Sequence, residues 1–396
     1  MSIPKVILKP AKDKSIKRFH PWIFSGAIKT IEQTIQEGDV VEIESNKGKY
    51  LGTGHFQDGV INIRVFEFKQ QTIDNNYWKN KIKKAFINRE NLNLTNNSST
   101  TIYRLVHAEG DDLPGLIVDI YNTTAVIQCH SIGMWRLKDV FCEAITELLP
   151  NITCVYDKSA ETLPDKYHQS YPIKNAYLFG IDPSDKTGKE NNNLFSINWI
   201  NGQKTGFFID QRENRKLLGE ISKGKKILNT FCYSGGFSIY ALNNGAKEVH
   251  SLDSSKKAIS LLEENIALVK AKNSKHKSIV ADAMEYIKNL NDDYDIIILD
   301  PPAFAKHQKA RHKAIQGYKR LNARAIEQIK PGGIIFTFSC SQVISKELFR
   351  NTILSASIAA EREIKILHQL HQPADHPINI FHPESEYLKG LVIQVF

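Results

Sequence analysis

Two residues able to do covalent chemistry stand at matching places in this chain. Asp300 ends the apolar run 294–300, and Cys340 ends the run 333–340. In a parallel α/β sheet, side chains at the C-terminal ends of neighbouring strands converge on one crevice, where ligands bind. An acid and a thiol in such a crevice, flanked by cations, suggest covalent chemistry on a nucleic-acid base. Cys340 lies in the polar setting "SCS" after an apolar strand, and nearby cations would favour its thiolate. Cys232 is its only serious rival. Cys129, Cys142 and Cys154 read as packing residues.

A second group of residues points to a cofactor. "NTFCYSGGFS" (229–238) follows an apolar run, and its glycines let backbone approach a ligand at a helix N-terminus. Cys232, Tyr233, Ser234, Gly235 and Gly236 form that candidate loop. It does not match G-x-G-x-x-G, which counts against a nicotinamide dehydrogenase. Asp253, eighteen positions after Gly235, ends the next strand, where an acid accepts from ribose hydroxyls. Asp282 ends the third strand, placed to meet an adenine amino group. One such acid is ordinarily a helix cap. Asp253, Asp282 and Asp300 at the ends of three successive strands read instead as an adenosine site.

The elements that must carry these groups are legible from periodicity. From Lys225 onward, "KKILNT", "EVHSLD", "KSIVADA", "YDIIILD" and "GIIFTFSC" alternate with helical stretches, the pattern of βαβ units in a doubly wound parallel sheet. "LVIQVF" adds a last strand. Residues 1–72 read as short strands with turn glycines, a small barrel. A helix is expected over 77–90, a loop over 91–100, three strands between 101 and 130, a helix around 134–149 and a strand near 152–156. This is a central α+β region, 73–182. The polar break "IDPSDKTGKENNN" opens the third domain, 183–396.

The formal net charge of +9 over 396 residues is unevenly placed. Lys5, Lys9, Lys12, Lys14, Lys17, Arg18 and Lys29 face only Asp13 within residues 1–30. Lys306, Lys309, Arg311, Lys313, Lys319 and Arg320 face no acid within 303–320. The rest of the chain is slightly acidic, so the excess is two patches of the kind that attract phosphate backbones. No apolar run reaches membrane-spanning length. Five scattered cysteines without a C-x-x-C pair argue for a reducing, cytoplasmic setting, and against a disulfide framework or metal site.

Taken in order, "HPWIFSGAI", "AEGDDLPGLIVD", "KTGFFIDQRENR", "LNTFCYSGGFS", "DPPAF", "FSCS", "QPADHP" and "YLKG" span nearly the whole chain. On these motifs the sequence resembles the ribosomal RNA large subunit methyltransferase I family. The resemblance implies a PUA-type barrel, a central α+β domain and a Rossmann-like class I methyltransferase domain. It implies S-adenosylmethionine as cofactor and 23S rRNA as partner, free or in a large-subunit precursor. The product would be 5-methylcytosine. "SGG", Asp253 and Asp282 would contact the cofactor, and Asp210, Gln211 and Arg212 would shape its methionine end. Cytosine C5 is a poor nucleophile until a thiolate adds to C6, which assigns Cys340 as nucleophile. Asp300 would hold N3 and the exocyclic amine. Phe304 would stack on the flipped base, and Pro301 and Pro302 would line its pocket. Lys309, Arg311 and Lys313 would guide RNA, with both basic patches on one groove. Some enzymes of this chemistry carry a second cysteine after the proline; here Pro302 and Ala303 stand there.

Two other readings stay open. "DPPAF" is close to the motif of exocyclic amino methyltransferases acting on guanine N2 or adenine N6, which need no thiol. A non-catalytic RNA-binding assembly factor is the second. The oligomeric state, monomer or homodimer, is not fixed by these residues.

Overall fold

The computed structural model of the protein describes residues 3–271, 273–290, 293–305 and 307–396. Lys306, counted above in the second basic patch, lies outside the described residues. The chain forms two compact units. One takes the chain through Gly188 with Ile197–Phe207 and Ala374–Ser385; the other takes Lys189–Ser196, Phe208–Pro373 and Glu386–Phe396. The three successive stretches expected above thus distribute over two units, with a late segment returning to the first.

In the first unit, β1 (Lys5–Leu8), β2 (Trp22–Phe24), β3 (Ile28–Ile31), β4 (Val40–Glu44), β5 (Tyr50–Phe56) and β6 (Ile61–Glu67) pair in the order β2-β6-β5-β4-β1-β3. Alternating burial along β4 marks a sheet with one apolar face. Helix α1 (Asn75–Asn91) begins where the Asp74 carboxylate accepts from the Tyr77 amide at 2.8 Å. Its Trp78 packs against Phe66 and stacks on His55. Burial there pushes the His55 imidazole down to about 3.

The strands β7 (Ile102–His107), β8 (Leu116–Tyr121), β9 (Thr124–Cys129), β10 (Cys154–Asp157) and β11 (Ala176–Phe179) run in the order β11-β10-β9-β8-β7. The single helix expected near 134–149 is two, α2 (Ile132–Arg136) and α3 (Lys138–Leu148), parted at Leu137. Three of the quoted motifs meet in this unit. Arg89 forks onto Asp111 at 2.6 Å on both oxygens and donates to the Asp375 carbonyl at 2.8 Å. The Asp375 carboxylate accepts the Arg104 amide at 3.0 Å, and Trp22 donates to Glu109 at 2.8 Å.

The expected polar break runs into a ribbon of β12 (Thr187–Glu190) and β13 (Asn193–Ser196), which extends past its end. Asn191 and Asn192 turn it with φ of 48° and 64°, the left-handed pair that a two-residue hairpin requires.

The second unit is built on β14 (Lys226–Thr230), β15 (Glu248–Asp253), β16 (Lys275–Val280), β17 (Ile296–Leu299), β18 (Ile334–Ser339), β19 (Ile364–Leu370) and β20 (Lys389–Val395). Their order is β16-β15-β14-β17-β18-β20-β19. The first five strands are mutually parallel, as expected. The sheet is nevertheless mixed. β20 runs antiparallel between β18 and the edge strand β19, which periodicity does not signal. Helices α4 (Arg212–Ile221), α5 (Gly236–Asn243), α6 (Lys256–Ile266), the single turn α7 (Ala283–Tyr286), α8 (Arg311–Gln328) and α9 (Lys346–Ala359) cover its faces. Ile296, Ile297, Ile298 and Leu299 are wholly buried, the run of a strand covered on both sides.

Candidate active site

The two chemistry-bearing residues lie just beyond adjacent parallel strands. β17 and β18 pair with Leu299 opposite Thr337, so Asp300 and Cys340 both follow the C-terminal edge. The loops behind them are tied together, because the Ser341 hydroxyl donates to the Ala305 carbonyl. Asp300 Oδ2 accepts from the Gln211 amide at 2.9 Å. Asp210 Oδ2 accepts from the Tyr387 hydroxyl at 2.8 Å, while its Oδ1 is buried with no hydrogen-bond partner among the described residues. Burial, then repulsion from Asp210, pushes the Asp300 carboxyl up to about 7. A carboxyl in that range can give a proton as well as accept one.

The thiol is governed differently from the expectation. Burial, then Asp300 and Asp210, pushes Cys340 up to about 11, so at neutral pH it is a thiol. Among the described residues, the cation that acts on it is Lys389, on β20, and not one of the cations of 303–320. Cys232, the rival, is pushed further by burial and by Asp253, and lies 6% exposed. Cys340 keeps partial exposure.

The glycine loop is strained along its length. Phe231, Tyr233 and Gly235 have φ of 54°, 46° and 80°. Such alternation turns backbone N–H groups toward one side, an anion-binding concavity. A side chain at Gly235 would lie 2.3 Å from Leu262, so only glycine fits. Helix α5 starts at Gly236 without a side-chain cap. Asp253 holds the loop, accepting from the Tyr233 amide at 3.1 Å and the Ser255 amide at 2.9 Å. Beneath it, buried Arg215 forks onto Glu190 at 2.8 and 2.7 Å and donates to the Phe208 carbonyl at 2.9 Å.

Other expected site residues take more particular places. Asp282 is a helix cap, its Oδ1 accepting the Glu285 amide at 3.0 Å, and it is exposed. Gln211 is engaged at both ends of its amide, by Asp300 and by Asn214 at 2.6 Å. Arg212 is buried and donates to Glu213 at 3.1 Å. Pro301 is buried and Pro302 exposed; Phe304 packs on Tyr318 with centroids 4.6 Å apart. Lys309, Arg311 and Lys313 are exposed and make no ion pair among the described residues. The N-terminal patch is weaker than its count, since Lys5 pairs with Glu44 at 2.6 Å and Lys17 with Asp13 at 2.5 Å. In the first unit His20, His382 and Glu384 bring three donor atoms within 4.8 Å of one another. No helix among the described residues is long and apolar enough to cross a membrane.

Residues 6–68 match the model of a PUA-like domain, and residues 175–383 that of an S-adenosylmethionine-dependent methyltransferase. The ribosomal RNA large subunit methyltransferase I of Tolumonas auensis is 37% identical, over 98% of both chains. That of Alteromonas mediterranea is 35% identical over 99% of this chain and 98% of its own. This chain belongs to that family. Its fold is shared with a chain from Streptococcus mutans assigned to the SAM-dependent methyltransferases, at a TM-score of 0.84 and 23% identity over 99% and 100% of the two chains. A second methyltransferase structure of equal score is complexed with SAH. The methyltransferase model that matches residues 175–383 makes S-adenosylmethionine this family member's cofactor. The strained loop, the uncapped α5 terminus and the unpartnered Asp210 Oδ1 fit an adenosyl group carrying an amino-acid end.

Proposed function

We propose that this family member forms 5-methylcytosine in 23S rRNA through a covalent bond between Cys340 and cytosine C6. The observation that carries the reading is the thiol itself. Cys340 stands at the C-terminal edge of the sheet beside a carboxyl near neutrality, and methylation of an exocyclic amine would need no thiol there.

Each residue has its part in this reaction. Asp300 gives its proton to N3 as sulfur adds to C6, which places electron density on C5. Gln211 holds that carboxyl in position. When bound, S-adenosylmethionine supplies the electrophilic methyl group. Asp253 accepts from ribose hydroxyls, and the exposed Asp282 keeps Oδ2 for the adenine amine. Asp210 Oδ1 receives the ammonium of the methionine end, with Tyr233, Ser234 and Gly236 along the loop. Pro301, Pro302 and Phe304 line the base pocket; because Phe304 already packs on Tyr318, it offers the base a fixed face. Residues 1–72 would serve as the RNA-gripping barrel, with Lys309, Arg311 and Lys313 on phosphates.

Nucleoside mass spectrometry of 23S rRNA from a strain lacking the gene tests this. Wild-type protein should restore 5-methylcytosine, and Cys340→Ala should not, while still binding SAH. Restoration by Cys340→Ala would assign the enzyme to exocyclic amines instead.

A further inference from the structure

Lys389 is a buried lysine that the chemistry above does not use. It is 4% exposed, and among the described residues it makes no ion pair. An ammonium taken out of water without a counterion is costly, so its place asks for a reason. Its backbone pairs across the sheet with Ser339, and its Nζ donates to the Ser341 carbonyl at 2.8 Å. The lysine is thereby fixed to the residues on both sides of Cys340. It acts on the thiol electrostatically, and the thiol acts on it in return.

We propose that Lys389 is the residue that activates Cys340, taking the thiol proton as sulfur attacks and holding the thiolate as its ion-pair partner. This rests on the covalent reading of the reaction. In the forward step the S–H bond breaks, an N–H bond forms on Nζ, and the sulfur electron pair makes the bond to C6. When the methylated adduct collapses, the C5 proton passes to solvent water and the C5–H electron pair forms the C5=C6 bond. The C–S bond breaks with its pair on sulfur, and Nζ returns the proton to sulfur. No other reactant is consumed in the exchange.

The charges around the pair support the assignment. Cys340 is faced by Asp300 beyond β17, Asp210 before α4 and Tyr318 on α8, none of which stabilises a thiolate. Lys389 is faced by Cys340, Glu386 and Lys346. Burial lowers the ammonium to about 8, within reach of releasing and regaining a proton near neutrality. Among the described residues Lys389 is the side-chain charge that opposes the two carboxyls at the thiol, alongside a backbone hydrogen bond at Cys340 itself.

The first arm of the test reads the thiol directly, with neither RNA nor cofactor present. Full-length protein is alkylated with iodoacetamide from pH 6 to 10, and modification of Cys340 is followed by peptide mass spectrometry, with Cys340→Ala as background. Lys389→Met should move the alkylation profile up by about one pH unit and slow modification at pH 7.5 about tenfold. Lys389→Arg, a permanent cation, should keep the wild-type position of that profile. It should nonetheless be slow to form an adduct with 5-fluorocytosine RNA, because it cannot accept the proton. SAH binding by calorimetry confirms folding of each variant, and Lys389→Gln replaces Lys389→Met if the latter does not bind. An unchanged profile in the folded neutral variant overturns the proposal. The covalent reading fails separately, if Cys340→Ala still methylates.

Discussion

The side-chain amide of Gln211 bridges two residues, giving its N–H to Asp300 at 2.9 Å and taking one from Asn214 at 2.6 Å. The first bond favours ionised Asp300, and it works against burial and Asp210, which prevail. Gln211→Leu should therefore raise the Asp300 carboxyl further. If the protonated carboxyl is the working form, the alkaline limb of kcat/KM against pH should move up, by up to about one unit. A stationary limb would mean that Gln211 only positions the loop.

Asp300 also carries a stability consequence. Its folded value, about 7, lies above the ordinary 3.8, so its contribution is complete below pH 3.8 and is lost as pH rises through 7. Above that range the native protein holds an ionised group beside Asp210. Asp300→Asn should be more stable than wild type at pH 8, by about 1–3 kcal/mol, and close to it at pH 4. Methylation should be lost at both. Thermal melts at the two pH values check this, and equal shifts would contradict it.

Replacing Asp253 with Ala removes an acceptor for ribose and frees the Tyr233 and Ser255 amides. SAH affinity should fall by roughly 1.5–3 kcal/mol, the range for hydrogen bonds to a charged group. Calorimetry reads the loss directly, and RNA affinity should hold.

Much of this site is legible in the residues alone. Asp300, Cys340, Asp253 and the glycine loop stand out because each ends an apolar run, and a strand end is a local property. What is not legible depends on partners distant in sequence. Lys389 gains its meaning only from pairing beside Ser339, whereas the surface cations stand closer to the thiol along the chain. Asp282 reads as a ligand from its strand end, although its local geometry makes it a cap as well. β19 leaves little trace because, as an exposed edge strand, it carries few buried positions. The turn at Asn191 and Asn192 is visible as polarity, but its hairpin depends on both residues adopting positive φ.

Neutralising Lys309, Arg311 and Lys313 together should weaken RNA binding and flatten its salt dependence, by about one unit of slope for each phosphate no longer neutralised. These side chains are exposed and make no ion pair among the described residues, so the change should leave folding and SAH affinity intact. Filter-binding titrations at several salt concentrations decide it. An unchanged slope would mark the segment as solvated surface.

The return of Ala374–Ser385 to the first unit sets an order of events during synthesis. Arg89 and Arg104 emerge early, yet the Asp375 oxygens that satisfy them are translated 286 and 271 residues later. At about 5–20 residues per second, that gap lasts roughly 14–57 seconds. Throughout it the amino-terminal half must wait with a buried guanidinium only partly satisfied, and a chain stopped before residue 374 never completes it. Closure of the first unit and arrival of the lysine proposed to activate the thiol therefore come close together in synthesis, since Lys389 follows Asp375 by only fourteen residues.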